Sequence, residues 1–283
     1  MPPENTIICG DCLEVLKDWP DNCVDLVLCS PPYEDARTYG IDFNLKGQEW
    51  VDWAFVRFVE CIRVCKGLVA WVVEGKTKKY RWSATPALLM ADLHRAGVYL
   101  RKPPAYYRIG IPGSGGPDWL RNDYEFIVCA TKGKLPWSDN LAMGEPCKWK
   151  ECGEMSYRDK DGRRKNASES ERRSGLKGHT VAYQNPKIAN PGNIIKCRVG
   201  GNNDSRLSFE NEAPFAESLA EFIIRSFCPI DGVTLDPFIG SGTTAAVAER
   251  FGRRWIGIDI RESQVELSRK RSEEEKSKMA LFS

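Results

Sequence analysis

Two short stretches of this chain combine residue types that chemistry uses together. Leu235-Asp236-Pro237-Phe238-Ile239-Gly240-Ser241-Gly242-Thr243-Thr244 joins an apolar run to a helical pattern through a glycine turn, and Cys29-Ser30-Pro31-Pro32-Tyr33 closes another apolar run. In the first, Gly240 and Gly242 let a ligand approach the backbone, and the helix opening at Ser241 offers N–H groups that have no intrahelical acceptor. In the second, Pro31 and Pro32 fix their φ angles and present a carbonyl without a competing donor, Ser30 adds a hydroxyl, and Tyr33 adds a flat ring. The result is a shelf for a planar base. If the Ser30 hydroxyl and the Pro31 carbonyl accept the two N–H bonds of an exocyclic amine, the nitrogen is drawn toward a tetrahedral form with its lone pair ready for attack. A base hidden in a duplex must first be flipped out at a cost of a few kcal/mol. Stacking on Tyr33 returns about 1–3 kcal/mol.

The strand expected over Arg254 to Ile258 ends at Asp259, whose carboxylate can accept hydrogen bonds from the two hydroxyls of a ribose. Gly240-x-Gly242-x-x-Ala245 with an acid about 20 residues on also satisfies the dinucleotide fingerprint of nicotinamide and flavin enzymes. Topology opposes that reading. One helical pattern follows Asp259, so the strands of a second nucleotide-binding half come only from the N-terminal part of the chain. A P-loop is excluded because Thr243-Thr244 stands where its lysine would follow the glycines. By itself the Ser-Pro-Pro-Tyr tetrad reads as a turn that ends a strand; joined to the glycine motif it reads as half of a site.

The elements that must hold these residues follow from pattern. Strands are expected at Thr6 to Cys9, Val24 to Cys29, Leu68 to Val73, Tyr124 to Ala130, Thr234 to Asp236 and Trp255 to Ile258, mostly apolar throughout as a sheet covered on both faces requires. Helices are expected at Trp50 to Cys65, with Val51, Phe55, Phe58, Val59 and Ile62 toward the core, and at Phe215 to Phe227, Gly242 to Phe251 and Arg261 to Lys278. The fold class is therefore α/β. From about Lys132 to Asn203 apolar periodicity fades, and basic residues accumulate with Trp149 and Tyr157 among them. This interval reads as an inserted, charged element, either a solvated, partly disordered loop or an arm that orders on DNA.

Together these motifs resemble the circularly permuted amino-methyltransferases of DNA, in which the catalytic motif precedes the cofactor motif. The similarity covers roughly residues 5 to 130 and 205 to 270. It implies a Rossmann-like S-adenosylmethionine-dependent methyltransferase fold in three parts: a catalytic half at 1–131, a target-recognition insert at 132–203 and a cofactor-binding half at 204–283. It implies Ser30, Pro31, Pro32 and Tyr33 as the catalytic shelf and S-adenosyl-L-methionine as the cofactor. The cofactor residues carried over are Asp11 and Cys12 beside the adenine, Asp236, Phe238, Gly240, Ser241, Gly242 and Thr243 around the methionine part, and Asp259 on the ribose. Pro214 and Phe215 fit the segment that closes over the methionine end, where Glu212-Ala213 replaces the usual histidine-proline pair. Ser in place of Asp or Asn at position 30 is typical of enzymes acting on cytosine N4, and adenine N6 is the alternative. Double-stranded DNA is the implied partner, contacted by Arg37 and Tyr39 after the shelf and by Arg163, Arg164 and Lys165 in the insert. The resemblance leaves room for a homodimer, frequent in the permuted group, and for a cognate restriction nuclease.

Composition narrows the rest. With 283 residues, 42% hydrophobic and 28% charged, the chain can bury one substantial core. A formal charge of +2 means that any nucleic-acid face comes from local clustering. Its 11 cysteines are odd in number and scattered, which favours reduced thiols over disulfides, and their spacing with two histidines offers no metal site. No basic start, apolar leader or membrane span is visible, so a cytoplasmic location is expected. Ribosomal RNA and protein glutamine methyltransferases share a proline-proline-aromatic shelf, but typically with Asn first and in the unpermuted order. A non-catalytic nucleic-acid binder is opposed by intact Ser30, Tyr33, Asp236 and Asp259.

Overall fold

A strand covered on both faces needs apolar side chains on both, and alternate residues of the central runs do go opposite ways: Leu26 and Leu28 join one core cluster, Val27 and Cys29 the other. In the computed structural model of the chain, which describes residues 2–35, 43–110, 118–147, 156–158, 161–166, 187–198 and 216–282, these runs build a nine-stranded sheet. Its strands are β1 (Thr6–Cys9), β2 (Val24–Cys29), β3 (Cys65–Val73), β4 (Tyr99–Leu100), β5 (Ala105–Ile109), β6 (Tyr124–Thr131), β7 (Ile194–Arg198), β8 (Val233–Asp236) and β9 (Arg254–Asp259). Their spatial order is β1-β9-β8-β2-β3-β6-β5-β7, with β4 also paired to β6. The first five run parallel. Strand β6 runs antiparallel to β3 and β5, and β7 lies parallel to β5.

Helices α1 (Cys12–Leu16), α2 (Gln48–Val64) and α3 (Thr85–Arg95) feed one core cluster. Helices α4 (Glu217–Phe227), α5 (Thr243–Arg250) and α6 (Glu262–Phe282) line the other face. Helix α2 buries Trp50, Val51, Ala54, Phe58, Cys61 and Val64, a stripe at helical spacing in which each large side chain contributes about 1.5–3 kcal/mol of burial. Val59, expected toward the core, points outward at 38% exposure, because the stripe through 51, 54, 58 and 61 leaves position 59 off its edge.

Strands β8 and β9 slot between β1 and β2. Leu235 pairs with Val27, and Thr6 with Ile256. This is the permuted order expected: the last strands of the chain complete a sheet begun by the first. Because five neighbours are parallel, their carboxyl ends at Cys9, Asp259, Asp236, Cys29 and Val73 share one edge. Open α/β sheets bind ligands at that edge.

Ala105–Ile109 forms β5, and Tyr106 is core. Ile194–Arg198 fell inside the 132–203 interval but joins the main sheet as β7, since Ile195 and Cys197 alternate inward from an otherwise charged neighbourhood. The second compact unit, Asn140–Pro191, is correspondingly shorter than that interval. It contains antiparallel pairs between Ser156–Arg158 and Arg164–Asn166 and between Glu145–Pro146 and Ile188–Ala189. Burial pushes the Cys29 and Cys61 thiols well above their ordinary range. Among the described residues no helix is long and apolar enough to cross a membrane.

Candidate active site

Strand β8 ends on Asp236, and the turn after it is closed by that residue's own carboxylate. Oδ1 accepts from the Phe238 N–H at 2.9 Å and Oδ2 from the Thr244 hydroxyl at 2.6 Å. Burial raises its pKa to about 7 despite both bonds. Gly240 and Gly242 take left-handed φ angles of 50° and 83°, which favour glycine. The Gly240 N–H donates to Asp259 Oδ2 at 3.1 Å and the Gly242 N–H to the Ile239 carbonyl at 2.9 Å. The glycines are needed for the path of the chain and for room, since a Cβ on Gly242 would lie 3.0 Å from Ser268 Cβ of α6.

Behind this turn stands Arg271 of α6, 1% exposed. It donates to the Ser241 carbonyl and hydroxyl at 3.3 and 3.2 Å and to the Thr243 hydroxyl at 2.9 Å, and pairs with Glu217 at the start of α4. Glu217 also accepts from Arg250, which pairs with Glu275. A buried cation on one helix thus ties the turn to two others. Glu217 turns into the interior, where it is paired with both arginines.

Asp259, at the end of β9, accepts from Gly240 N–H and, through Oδ1, from Arg261 N–H at 2.9 Å. Asp11 caps α1 by accepting from Leu13 N–H at 2.8 Å, and its second oxygen takes a 2.7 Å bond from Arg57. Cys12 follows, buried, its thiol pushed up to about 12 by desolvation. Arg57 lies on α2 and stacks 4.5 Å from the centroid of Trp53, whose ring meets Phe238 at 5.7 Å. One helix face therefore touches both motifs, because Trp50 on the same face donates its indole N–H to the Pro32 carbonyl at 2.8 Å.

On the other side, Ser30, Pro31, Pro32 and Tyr33 leave β2 next to β8. The Ser30 hydroxyl donates to Tyr33 Oη at 3.3 Å, and Tyr33 donates to Glu125 Oε2 at 2.7 Å. Glu125 Oε1 pairs with Arg108 at 2.7 Å. Glu34 holds the chain beyond the shelf, accepting from the N–H groups of Gly47 at 3.0 Å and Lys76 at 2.9 Å. Strand ends supply backbone acceptors, carboxylates and flat rings around one cleft, which suits an aromatic amine beside an adenosine-bearing ligand.

The family model described as DNA methylase, of the N6/N4 type, matches residues 24–270. The chain belongs to the N6/N4 DNA methylase family. An orphan methyltransferase from Bacillus amyloliquefaciens, M.BamHII, is 29% identical over 259 residues, 89% of each chain. The DNA adenine methyltransferase YhdJ of Escherichia coli is 28% identical over 270 residues, 94% of this chain and 82% of that one. Among solved structures, the PvuII DNA methyltransferase, cytosine-N4-specific, superimposes with a TM-score of 0.67 at 21% identity over 94% of this chain and 85% of that one. The fold is the Rossmann-like one of S-adenosylmethionine-dependent methyltransferases, and S-adenosylmethionine is the methyl donor of this family.

For this DNA methylase the structure brings Ser30, Tyr33, Asp11, Asp236, Phe238, Gly240 and Asp259 to one sheet edge. Pro214, Phe215, Arg37 and Tyr39 lie outside the described residues. Arg163 is exposed, and Arg164 and Lys165 lie on the strand Arg164–Asn166 of the second unit. Sequence reasoning missed Trp50, Arg57, Arg108, Glu125 and Arg271. Each acts through strand or helix pairing far away in the chain, and no local motif marks it.

Proposed function

We propose that this DNA methylase transfers a methyl group from S-adenosylmethionine to the N4 amine of a cytosine flipped out of the duplex at a specific site. The carrying observation is adjacency: β2, which leads directly into Ser30, is paired with β8, which ends in Asp236, through Leu26–Thr234 and Val27–Leu235. Neighbouring strands are about 4.8 Å apart, so the shelf and the glycine turn serve one cleft. The donor set fits the cofactor. Asp259 has carboxylate lone pairs left for ribose hydroxyls, Phe238 and Trp53 offer rings to an adenine, and the acidic strand ends suit a cation.

Bound there, S-adenosylmethionine supplies a methyl group activated by a sulfonium. The remaining work belongs to the chain. Ser30 Oγ and the Pro31 carbonyl accept the amine hydrogens, Trp50 fixes the second proline by holding its carbonyl, and Tyr33 presents its ring to the base. Cytosine is supported by the resemblance-based rule for Ser30. Adenine N6 is the second reading, favoured by the similarity to an adenine methyltransferase.

The second unit, with Arg163, Arg164 and Lys165, is assigned to DNA recognition. Replacing these three by Ala is expected to weaken DNA binding and to reduce the slope of log K against log salt by up to about 3, at roughly 0.9 per lost phosphate contact; unchanged binding moves the role elsewhere. A second copy of the chain and a cognate nuclease are the further partners of this reading. Light scattering tests the first. The base is tested by expressing the protein in a methylation-free host and analysing digested DNA by nucleoside mass spectrometry. N4-methylcytosine is expected, N6-methyladenine selects the second reading, and neither sinks both.

A further inference from the structure

Resting on that reading, we propose that Glu125 takes up, through Tyr33 and Ser30, the proton that the target amine must lose. A carboxylate only 8% exposed needs compensation, and Glu125 has two partners: Arg108 at 2.7 Å on one oxygen and the Tyr33 hydroxyl at 2.7 Å on the other. It reaches the site because β6 runs opposite to β3. Phe126 pairs with Val73, so the amino end of β6 meets the carboxyl ends of the parallel strands, and Tyr106 of β5 pairs with Glu125.

Every donor in this chain of bonds points the same way. Ser30 donates to Tyr33 and Tyr33 to Glu125. Because the Ser30 hydrogen is committed to Tyr33, its oxygen is left to accept from the amine. Glu74, which follows β3, is turned to the Gly75 N–H and the Trp82 indole, both at 2.9 Å. The charged and titratable groups facing Glu125 are Arg108, Tyr33, Glu74 and Tyr106.

The balance closes without any further reactant. The sulfur–methyl bond breaks with its electron pair remaining on sulfur, and the nitrogen lone pair forms the nitrogen–methyl bond. One N–H proton passes to Ser30 Oγ as the Ser30 proton passes to Tyr33 Oη and the Tyr33 proton to Glu125 Oε2. One positive and one negative charge become two neutral groups. The Glu125 proton then leaves to water. The base is most useful while the nitrogen–methyl bond is forming, when the N–H becomes acidic.

The test is the single-turnover methylation rate against pH for wild type, Glu125→Gln, Glu125→Asp, Tyr33→Phe and the double variant Tyr33→Phe/Glu125→Gln, with cofactor affinity by calorimetry and the melting midpoint measured on each. Glu125→Gln preserves shape and an acceptor for Tyr33 but not the base. It is expected to slow transfer by about 10²-fold or more, leave cofactor affinity unchanged, lower the melting midpoint through the lost Arg108 pair, and regain rate as pH rises. Tyr33→Phe, which keeps the ring, should lose a similar factor, the double variant should be no slower than either single one, and Glu125→Asp should recover part of the rate. Glu125→Gln at wild-type rate, or slowed equally at every pH, overturns the relay. If Glu125→Gln does not fold, Tyr33→Phe decides: a wild-type rate overturns the relay. A wild type that methylates no base overturns the proposed function itself, whereas an active wild type with an unaffected Glu125→Gln overturns the relay alone.

Discussion

On the glycine-turn side of the cleft, Asp236, Ser241, Thr243, Thr244 and Asp259 are all buried and bonded within their own wall, whereas on the proline side Ser30, Pro32 and Tyr33 are half-buried, and Ser30 and Tyr33 are joined in one directed chain to Glu125. The first wall is finished before any ligand arrives: its carboxylates and hydroxyls serve the turn, and Arg271 braces it from behind. In the proposed reaction the second keeps the Ser30 oxygen for the target amine. A wall that must bind the same molecule on every cycle gains from rigidity, while a wall that must reshape an amine gains from acceptors already oriented.

The widest separation between the two walls should come from the proline side. Ser30→Ala or Tyr33→Ala is expected to lower the methylation rate by about 10²–10³-fold, with cofactor affinity unchanged by calorimetry; a variant that lost affinity but kept its rate would reverse the assignment. Next comes the brace. Arg271→Met removes a buried cation from Glu217 and from the Ser241 carbonyl, and denaturant unfolding should register a loss of about 3–5 kcal/mol. An unchanged midpoint would mean that the turn stands without it. Asp259→Ala should weaken cofactor binding about 10–100-fold, as expected for lost hydrogen bonds to a charged group, and slow transfer mainly at subsaturating cofactor. A purely kinetic defect would contradict the ribose role.

The smallest effect concerns pH. Asp236 has a native pKa raised to about 7 from 3.8, so between these values the native state holds more protons than the unfolded one. Its contribution to stability is therefore present in full below the unfolded value, declines as pH rises, and levels off above about 7. Unfolding free energies at about pH 5 and pH 8 should differ less in Asp236→Asn than in wild type. Equal differences would place the titration elsewhere.

The central strands were legible because both faces are covered: β1, β2, β3, β6, β8 and β9 are largely unbroken apolar runs, and the observed ends lie within a few residues of those expected. Strand β7 was not, since Lys196 and Arg198 alternate with Ile195 and Cys197 and resemble the charged surroundings. The two motifs were legible because their chemistry is local. Glu125 was not, because its meaning depends on β6 running against β3, and neither was Arg271, an apparently ordinary charge in a polar helix until α6 packs it against the turn.

Strand β1 has its partner at the far end of the polypeptide, Thr6 beside Ile256 and Cys9 beside Asp259. A nascent chain leaving the ribosome amino end first can form the β2–β3 pair early, yet must hold β1 and the Asp11 loop idle until β9 emerges. Closing so long a loop carries an entropy cost that grows with its length. The sheet edge that carries Asp11 and Asp259 therefore cannot be complete until Asp259 has left the ribosome.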